Sequence, residues 1–167
     1  MRIVSWNCRG LGNSIKLEAV KDFLKIETPN ILILQETKIE GETLLDPSRI
    51  KWKLNSGKVV SARGSSRGLV VIWSEEMFQL VSSFETHHWI YTELLYILNK
   101  TSISLFNLYV PVHHLEKKEC WHMLYDFMES ISPSNIIIAG DLNLVFYSKE
   151  KEEVKLVEII CFLLLRI

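Results

Sequence analysis

Asp141 and Asn143 stand two residues apart just after the run Asn135-Ile136-Ile137-Ile138-Ala139, with Gly140 between the run and the Asp. β-branched residues at successive positions suit a strand with no wet face. A rigid strand that ends on a carboxylate and a carboxamide holds two polar groups ready for a substrate. The same residue types also make ordinary turns after strands. Three other apolar runs end in a similar way: Ile3 to Trp6 on Asn7, Ile31 to Leu34 on Gln35-Glu36-Thr37, and Ser102 to Leu108 on Tyr109-Val110-Pro111-Val112-His113. Carboxylate and carboxamide oxygens form a hard donor set. It suits Mg²⁺, which keeps several waters and takes one or two protein carboxylates plus substrate phosphate. The chemistry such a set points to is hydrolysis of a phosphate ester. Each residue also has a plainer explanation: an Asx-turn for Asn7, a solvated strand end for Glu36, a sheet aromatic for Tyr109.

Elements that would carry these residues can be read from apolar spacing. Arg2 to Asn7 reads as a strand, broken by Gly10 and Gly12. Asn13 or Ser14 caps a helix to about Glu27 with Leu17, Val20, Phe23 and Leu24 on one face. Pro29-Asn30 ends it and a second strand follows, a βαβ-like opening whose strands are either neighbours or separated by one. Short strands near Lys51 to Asn55 and Val59 to Ala62 are expected to form a hairpin through Ser56-Gly57. Further strands are expected at Leu69 to Trp73, Gln79 to Glu85, His88 to Ile97 and Ser102 to Tyr109, with Asn99-Lys100 as a turn. With no helix between them, they point to antiparallel pairing. A second helix, about Leu115 to Ile131, has Cys120, Trp121, Leu124, Phe127, Met128 and Ile131 as its apolar stripe. The layout is α/β: two stacked sheets with helices on the outer faces. The five tryptophans, Trp6, Trp52, Trp73, Trp89 and Trp121, are expected in the core.

The 167 residues fit one domain, and 48% hydrophobic content argues against disorder. A net charge of -1 gives no global pull toward nucleic acid, so such a partner needs a local patch. Arg49, Lys51, Lys53, Lys58, Arg63 and Arg67 form one, with no Asp or Glu between them, as a phosphate-contacting loop or a solvated hairpin face. His113 and His114 either cap the second helix, lie in solvent or touch phosphate. His87 and His88 lack ligand spacing. Cys8, Cys120 and Cys161 are odd in number and far apart, which suits a reducing compartment. With no leader-like opening and no run of about 18 apolar residues, the expectation is an intracellular protein, nuclear or cytoplasmic and not secreted. After Tyr147 the chain turns to a charge run, Lys149 to Glu153, and an apolar run, Ile159 to Leu165. That run is a helix or strand packed on a sheet, or an exposed sticky tail.

Trp6-Asn7, Gln35-Glu36-Thr37, Tyr109-x-Pro111 and Gly140-Asp141-Leu142-Asn143 resemble, in order and spacing, the endonuclease/exonuclease/phosphatase superfamily, which includes abasic-site endonucleases and pancreatic-type deoxyribonuclease. Ser5 to Gly12 and Glu116 to Trp121 look most like the endonuclease domain heading plant LINE-type (non-LTR) retrotransposon polyproteins. The resemblance covers residues 1–147 and leaves 148–167 as an atypical tail. It implies a DNase I-like four-layer α/β/β/α sandwich. It also implies Asn7 and Glu36 as ligands of Mg²⁺ (or Mn²⁺) and Asp141 orienting or deprotonating the attacking water. Asn143 would bond the phosphate or that water, and Tyr109 would contact the scissile phosphate.

The sequence departs from that pattern in two places. Arg9 stands where abasic-site enzymes carry an Asp, and no His follows His122 and no Asp follows Asp141, where members end on an Asp-His pair. The expectation is therefore a C-terminally truncated, weak or inactive DNA endonuclease, monomeric and free of membrane. Alternatives are a remnant that binds metal or nucleic acid without turnover, and a phosphatase branch of the same fold acting on other phosphate esters.

Overall fold

Strand β1 (Ile3–Asn7) and strand β2 (Ile31–Gln35) lie side by side and parallel, with helix α1 (Ser14–Glu27) crossing between them. The βαβ opening thus closes on neighbouring strands, the tighter of the two arrangements its sequence allowed. This computed structural model describes residues 1–11, 14–38, 54–62 and 68–143, and the backbone alone of 161–163.

Sheet A runs β1-β2-β4-β3, where β3 is Ser56–Val60 and β4 is Leu69–Trp73, both joined antiparallel. The turn expected at Ser56-Gly57 is corrected: both residues lie within β3, with Ser56 opposite Trp73 and Gly57 opposite Ile72. Ser-Gly is a strong turn signal, yet an edge strand tolerates a glycine where the neighbouring strand supplies an unbroken apolar partner. Lys51 to Lys53 of that expected hairpin lie outside the described residues.

Sheet B is a meander followed by a crossover. Strands β5 (Phe78–Glu85), β6 (Trp89–Tyr96) and β7 (Thr101–Tyr109) pair antiparallel. The turn at Asn99-Lys100 is held by Lys100 in the left-handed region (φ 59) and by Thr101 N–H donating to Asn99 Oδ1 at 3.1 Å. Helix α2 (His114–Ile131) then carries the chain to β8 (Ile136–Asp141), parallel to β7. The backbone of β9 (Cys161–Leu163) pairs antiparallel with β8 from Ile137 to Ala139.

Three apolar layers separate the four structural ones. Val20 and Leu24 of α1 pack on Val4, Leu32, Leu34, Val70 and Ile72. Alternate residues Ile31, Ile33, Leu69, Val71 and Trp73 face Phe78, Ile90, Leu94, Ile103 and Leu105 between the sheets. Cys120 and Leu124 of α2 cover Trp89, Tyr91, Phe106 and Leu108. This is the α/β/β/α sandwich. Trp73 and Trp89 are core residues, and Trp6 and Trp121 are partly buried against the outer layers; Trp52 lies outside the described residues. No described helix is long and apolar enough to cross a membrane.

Candidate active site at the converging strand ends

Parallel pairing ends two strands side by side in each sheet. Asn7 closes β1 opposite Gln35, the last residue of β2, and Glu36 follows at once. Tyr109 closes β7 opposite Asp141, which closes β8. Stacking the sheets brings the two ends together. The Asn7 side-chain amide donates from Nδ2 to Glu36 Oε1 at 3.1 Å and to Asp141 Oδ2 at 2.7 Å. One carboxamide therefore bridges a carboxylate of its own sheet and one of the other.

The second oxygen of Asp141 is also held: Oδ1 accepts the Asn143 N–H at 3.0 Å. Asn143 turns left-handed (φ 48), donates from Nδ2 to the Val110 carbonyl at 2.6 Å, and accepts Lys117 Nζ on its own carbonyl at 2.7 Å. Asn7 Oδ1 accepts the Arg9 N–H at 3.1 Å, the Asx-turn foreseen for it. That turn coexists with the bridge because the amide's other end makes the bridge.

Backbone at the site is strained in the way that rigid functional loops tend to be. Glu36 sits at φ 51 and Arg9 at φ 47, non-glycine residues in a region that costs roughly 1–3 kcal/mol each. Ladder-like bonds beyond the strands hold them there: Cys8 N–H to Gln35 O at 2.9 Å, Gly10 N–H to Glu36 O at 2.6 Å, Leu11 N–H to Thr37 O at 2.7 Å. At Gly140 (φ 134) a Cβ would collide with the Leu108 carbonyl, so only glycine allows β8 to approach β7 this closely just before Asp141. Beside Asn7, burial pushes the Cys8 thiol from 9.0 up to about 12, with Lys16 opposing and Glu36 adding.

Of the five residues singled out from sequence, Asn7, Glu36, Asp141 and Asn143 fall in one hydrogen-bonded unit. Tyr109 lies at the same strand end but is 6% exposed and packed with the inter-sheet residues. His113 takes the N-cap position of α2 without a side-chain capping bond, and of the alternatives open to it and to His114 exposure to solvent is the one found. Lys58 pairs across the sheets with Glu85 at 3.3 Å, while Arg49, Lys51, Lys53, Arg63 and Arg67 lie outside the described residues. Two participants escaped the sequence reading. Lys117 sits in the charged stretch Glu116-Lys117-Lys118-Glu119, which entered only as part of the resemblance and with no role of its own. Asn107, a carboxamide inside the apolar strand Leu105-Phe106-Asn107-Leu108, carried a signal that was there to be seen.

Among the described residues no three His, Cys, Asp or Glu gather in a group. The candidate donors are two carboxylates and two carboxamides, all hard oxygens. That set fits a small divalent cation that retains waters, and it lacks the nitrogen and sulfur donors that zinc favours.

The fold is similar to the human Nocturnin catalytic domain with bound sulfate anion (TM-score 0.68, 16% identity, 87% of this chain and 64% of that one). It is also similar to D. rerio TDP2 complexed with single strand DNA product (0.63, 14%, 90% and 64%). A Bacteroides thetaiotaomicron mannosyl-6-phosphatase has it too (0.64, 12%, 86% and 66%). At these identities the likeness is one of fold, and the chain spans 64–66% of the length of those structures. No curated protein matches the sequence. A family model does, over residues 4–148, which takes in Asn7, Glu36, Tyr109, Asp141 and Asn143, and the chain belongs to the Endonuclease/Exonuclease/phosphatase family.

Proposed function

We propose that this chain is a Mg²⁺- or Mn²⁺-dependent phosphodiester hydrolase acting on DNA, of the kind that nicks target sites for LINE-type retrotransposons. The observation that supports it best is the Asn7 amide joined to Glu36 of one sheet and Asp141 of the other. Glu36 would hold the cation together with the Asn7 Oδ1 once the Asn7 amide, whose Nδ2 faces the carboxylates here, is turned over; the cation when bound draws charge off the phosphoryl oxygens. Asp141, gripped at both oxygens, has a fixed orientation and is suited to take a proton from an attacking water. Asn143 is held by two backbone hydrogen bonds and by its Nδ2 to the Val110 carbonyl, and the second Nδ2 proton would bond the phosphate or the attacking water. Tyr109 contacts the scissile phosphate in this reading, from a position already fixed by packing.

A plasmid-nicking assay with Mg²⁺ tests this beside Glu36→Ala and Asp141→Ala. Each substitution is expected to lower the rate by about 10²-fold or more. Metal-dependent nicking that both leave untouched would rule out the assigned site. A phosphatase reading is kept alive by the mannosyl-6-phosphatase of the same fold. Parallel assays on supercoiled plasmid and on sugar phosphates separate the two.

A further inference from the structure

Below the strand ends, the layer between the sheets contains a cluster of buried polar side chains. Asn107 is fully buried, Gln35 is 1% exposed and Ser5 6%. Asn107 lies on the inner face of β7, in step with Ile103, Leu105 and Tyr109. Its Nδ2 donates to the Leu34 carbonyl of β2 and the Val70 carbonyl of β4, each at 3.0 Å. Its Oδ1 accepts Gln35 Nε2 at 2.8 Å, and Gln35 Nε2 also donates to Ser5 Oγ at 3.2 Å. A single side chain of sheet B is thus bonded to three groups of sheet A.

Apolar contact is non-directional and lets one sheet slide on another by a few tenths of an ångström at small cost. Buried hydrogen bonds do not, because breaking one strands a polar group in the core. The candidate site needs such a constraint: the Asn7 amide must reach a carboxylate on each sheet at once. The cluster is well placed to supply it. Gln35 is the register partner of Asn7 and precedes Glu36, and Asn107 lies two residues before the Tyr109–Asp141 pair.

We propose that Asn107, with Gln35 as its partner, is a positioning residue that registers sheet B on sheet A and so sets the distance from Asn7 and Glu36 to Asp141. Its kinetic consequence rests on the function proposed above; its structural content does not.

The test compares the full chain with Asn107→Leu, Gln35→Met and a packing control, Leu105→Ala, which loosens the same layer without touching an amide. In the metal-free protein, NMR follows the Asn7 side-chain amide protons, whose bonds to Glu36 and Asp141 slow their exchange with water. Asn107→Leu is expected to speed that exchange while the β1, β2 and β7 backbone amides stay protected. Gln35→Met, which leaves the two carbonyl bonds of Asn107 in place, is expected to have a smaller effect, and Leu105→Ala less still. Mn²⁺ affinity should weaken by about 10–100-fold in Asn107→Leu, as when a group supporting metal ligands is lost. Its kcat should fall by about 10²-fold with little change in KM.

Unchanged Asn7 exchange in both amide variants would overturn the proposal. So would a Leu105→Ala effect as large as theirs. If Asn107→Leu does not fold, Gln35→Met against Leu105→Ala decides by the same readout. A wild-type chain that neither binds Mn²⁺ nor cleaves any phosphate ester would refute the hydrolase reading instead, with the exchange comparison still deciding the positioning role.

Discussion

At the scale of single residues, Gly140 and Cys8 bear the sharpest consequences. A methyl group at 140 has no room against the Leu108 carbonyl, and φ 134 lies outside what an L-residue readily adopts. Gly140→Ala is expected to destabilise the fold by about 2–4 kcal/mol, read as a lowered melting temperature, and to displace Asp141 along with the strand. Cys8 predicts an alkaline limit. Its folded thiol is raised from 9.0 to about 12 by burial, and burial also raises Cys120. A neutral acid with a raised folded pKa contributes stability that is complete below the unfolded value and is lost as pH climbs through the folded one. Melting temperature should therefore fall between pH 9 and about 12, with a shallower slope in Cys8→Ala. A slope that this substitution leaves unchanged would place the loss elsewhere. Residue identity was the most legible level of the site. Asn7, Glu36, Asp141 and Asn143 could be named because a polar residue after an apolar run is visible in one dimension. Their meeting was not, since Asn7 and Asp141 are 134 positions apart and nothing local encodes the bond between them.

Among the elements, α2 links packing to the site most directly. At one end Phe127 is the hub of an aromatic group, 4.9 Å from Phe84, 4.8 Å from Trp89 and 5.3 Å from Tyr91 between ring centroids. At the other end Lys117 reaches the Asn143 carbonyl. The two ends should separate in experiment. Phe127→Ala removes most of the ring contacts that seat the helix and is expected to cost about 3 kcal/mol or more, measured by denaturant unfolding. Lys117→Met keeps the stem and loses one partly buried bond, so its stability cost should stay near 1 kcal/mol. On the function proposed above its nicking rate should nevertheless drop, because Asn143 loses one of its three restraints. If Lys117→Met cleaves as fast as wild type, the helix does not support the loop. The α2 stripe was readable at its 3.6-residue spacing, as was the face of α1. The edge strand β3 was not, because Ser56-Gly57 has the local chemistry of a turn and only pairing with Leu69–Trp73 makes it a strand. Local propensity fails where a strong neighbour imposes its own ladder.

For the whole molecule, the sandwich is legible as a class but not as a registered object. Alternation of apolar residues says which faces are buried, and the order of elements says where pairing is parallel or antiparallel, but not that β2 lies between β1 and β4. How far one sheet is slid across the other is decided by a few polar contacts, at the site end by Asn107 and at the far edge by the Lys58–Glu85 pair. These two ties are unequal. The ion pair is about a third exposed on both sides, so Lys58→Ala should cost no more than about 1 kcal/mol and less in high salt.

The remaining question at this scale is what the sheet edges do. Among the described residues strand β5 is the edge of sheet B, and it exposes Val81 at 54% and Phe84 at 46%, apolar side chains on a ladder that can template a second chain. A charge at Val81 blocks such pairing without entering the core. Val81→Lys is expected to leave the melting temperature within about 0.5 kcal/mol of wild type in stability terms. It should also reduce light scattering on heating and keep the protein eluting as a monomer at higher concentration. Equal scattering by the two proteins would move the aggregating surface away from this edge.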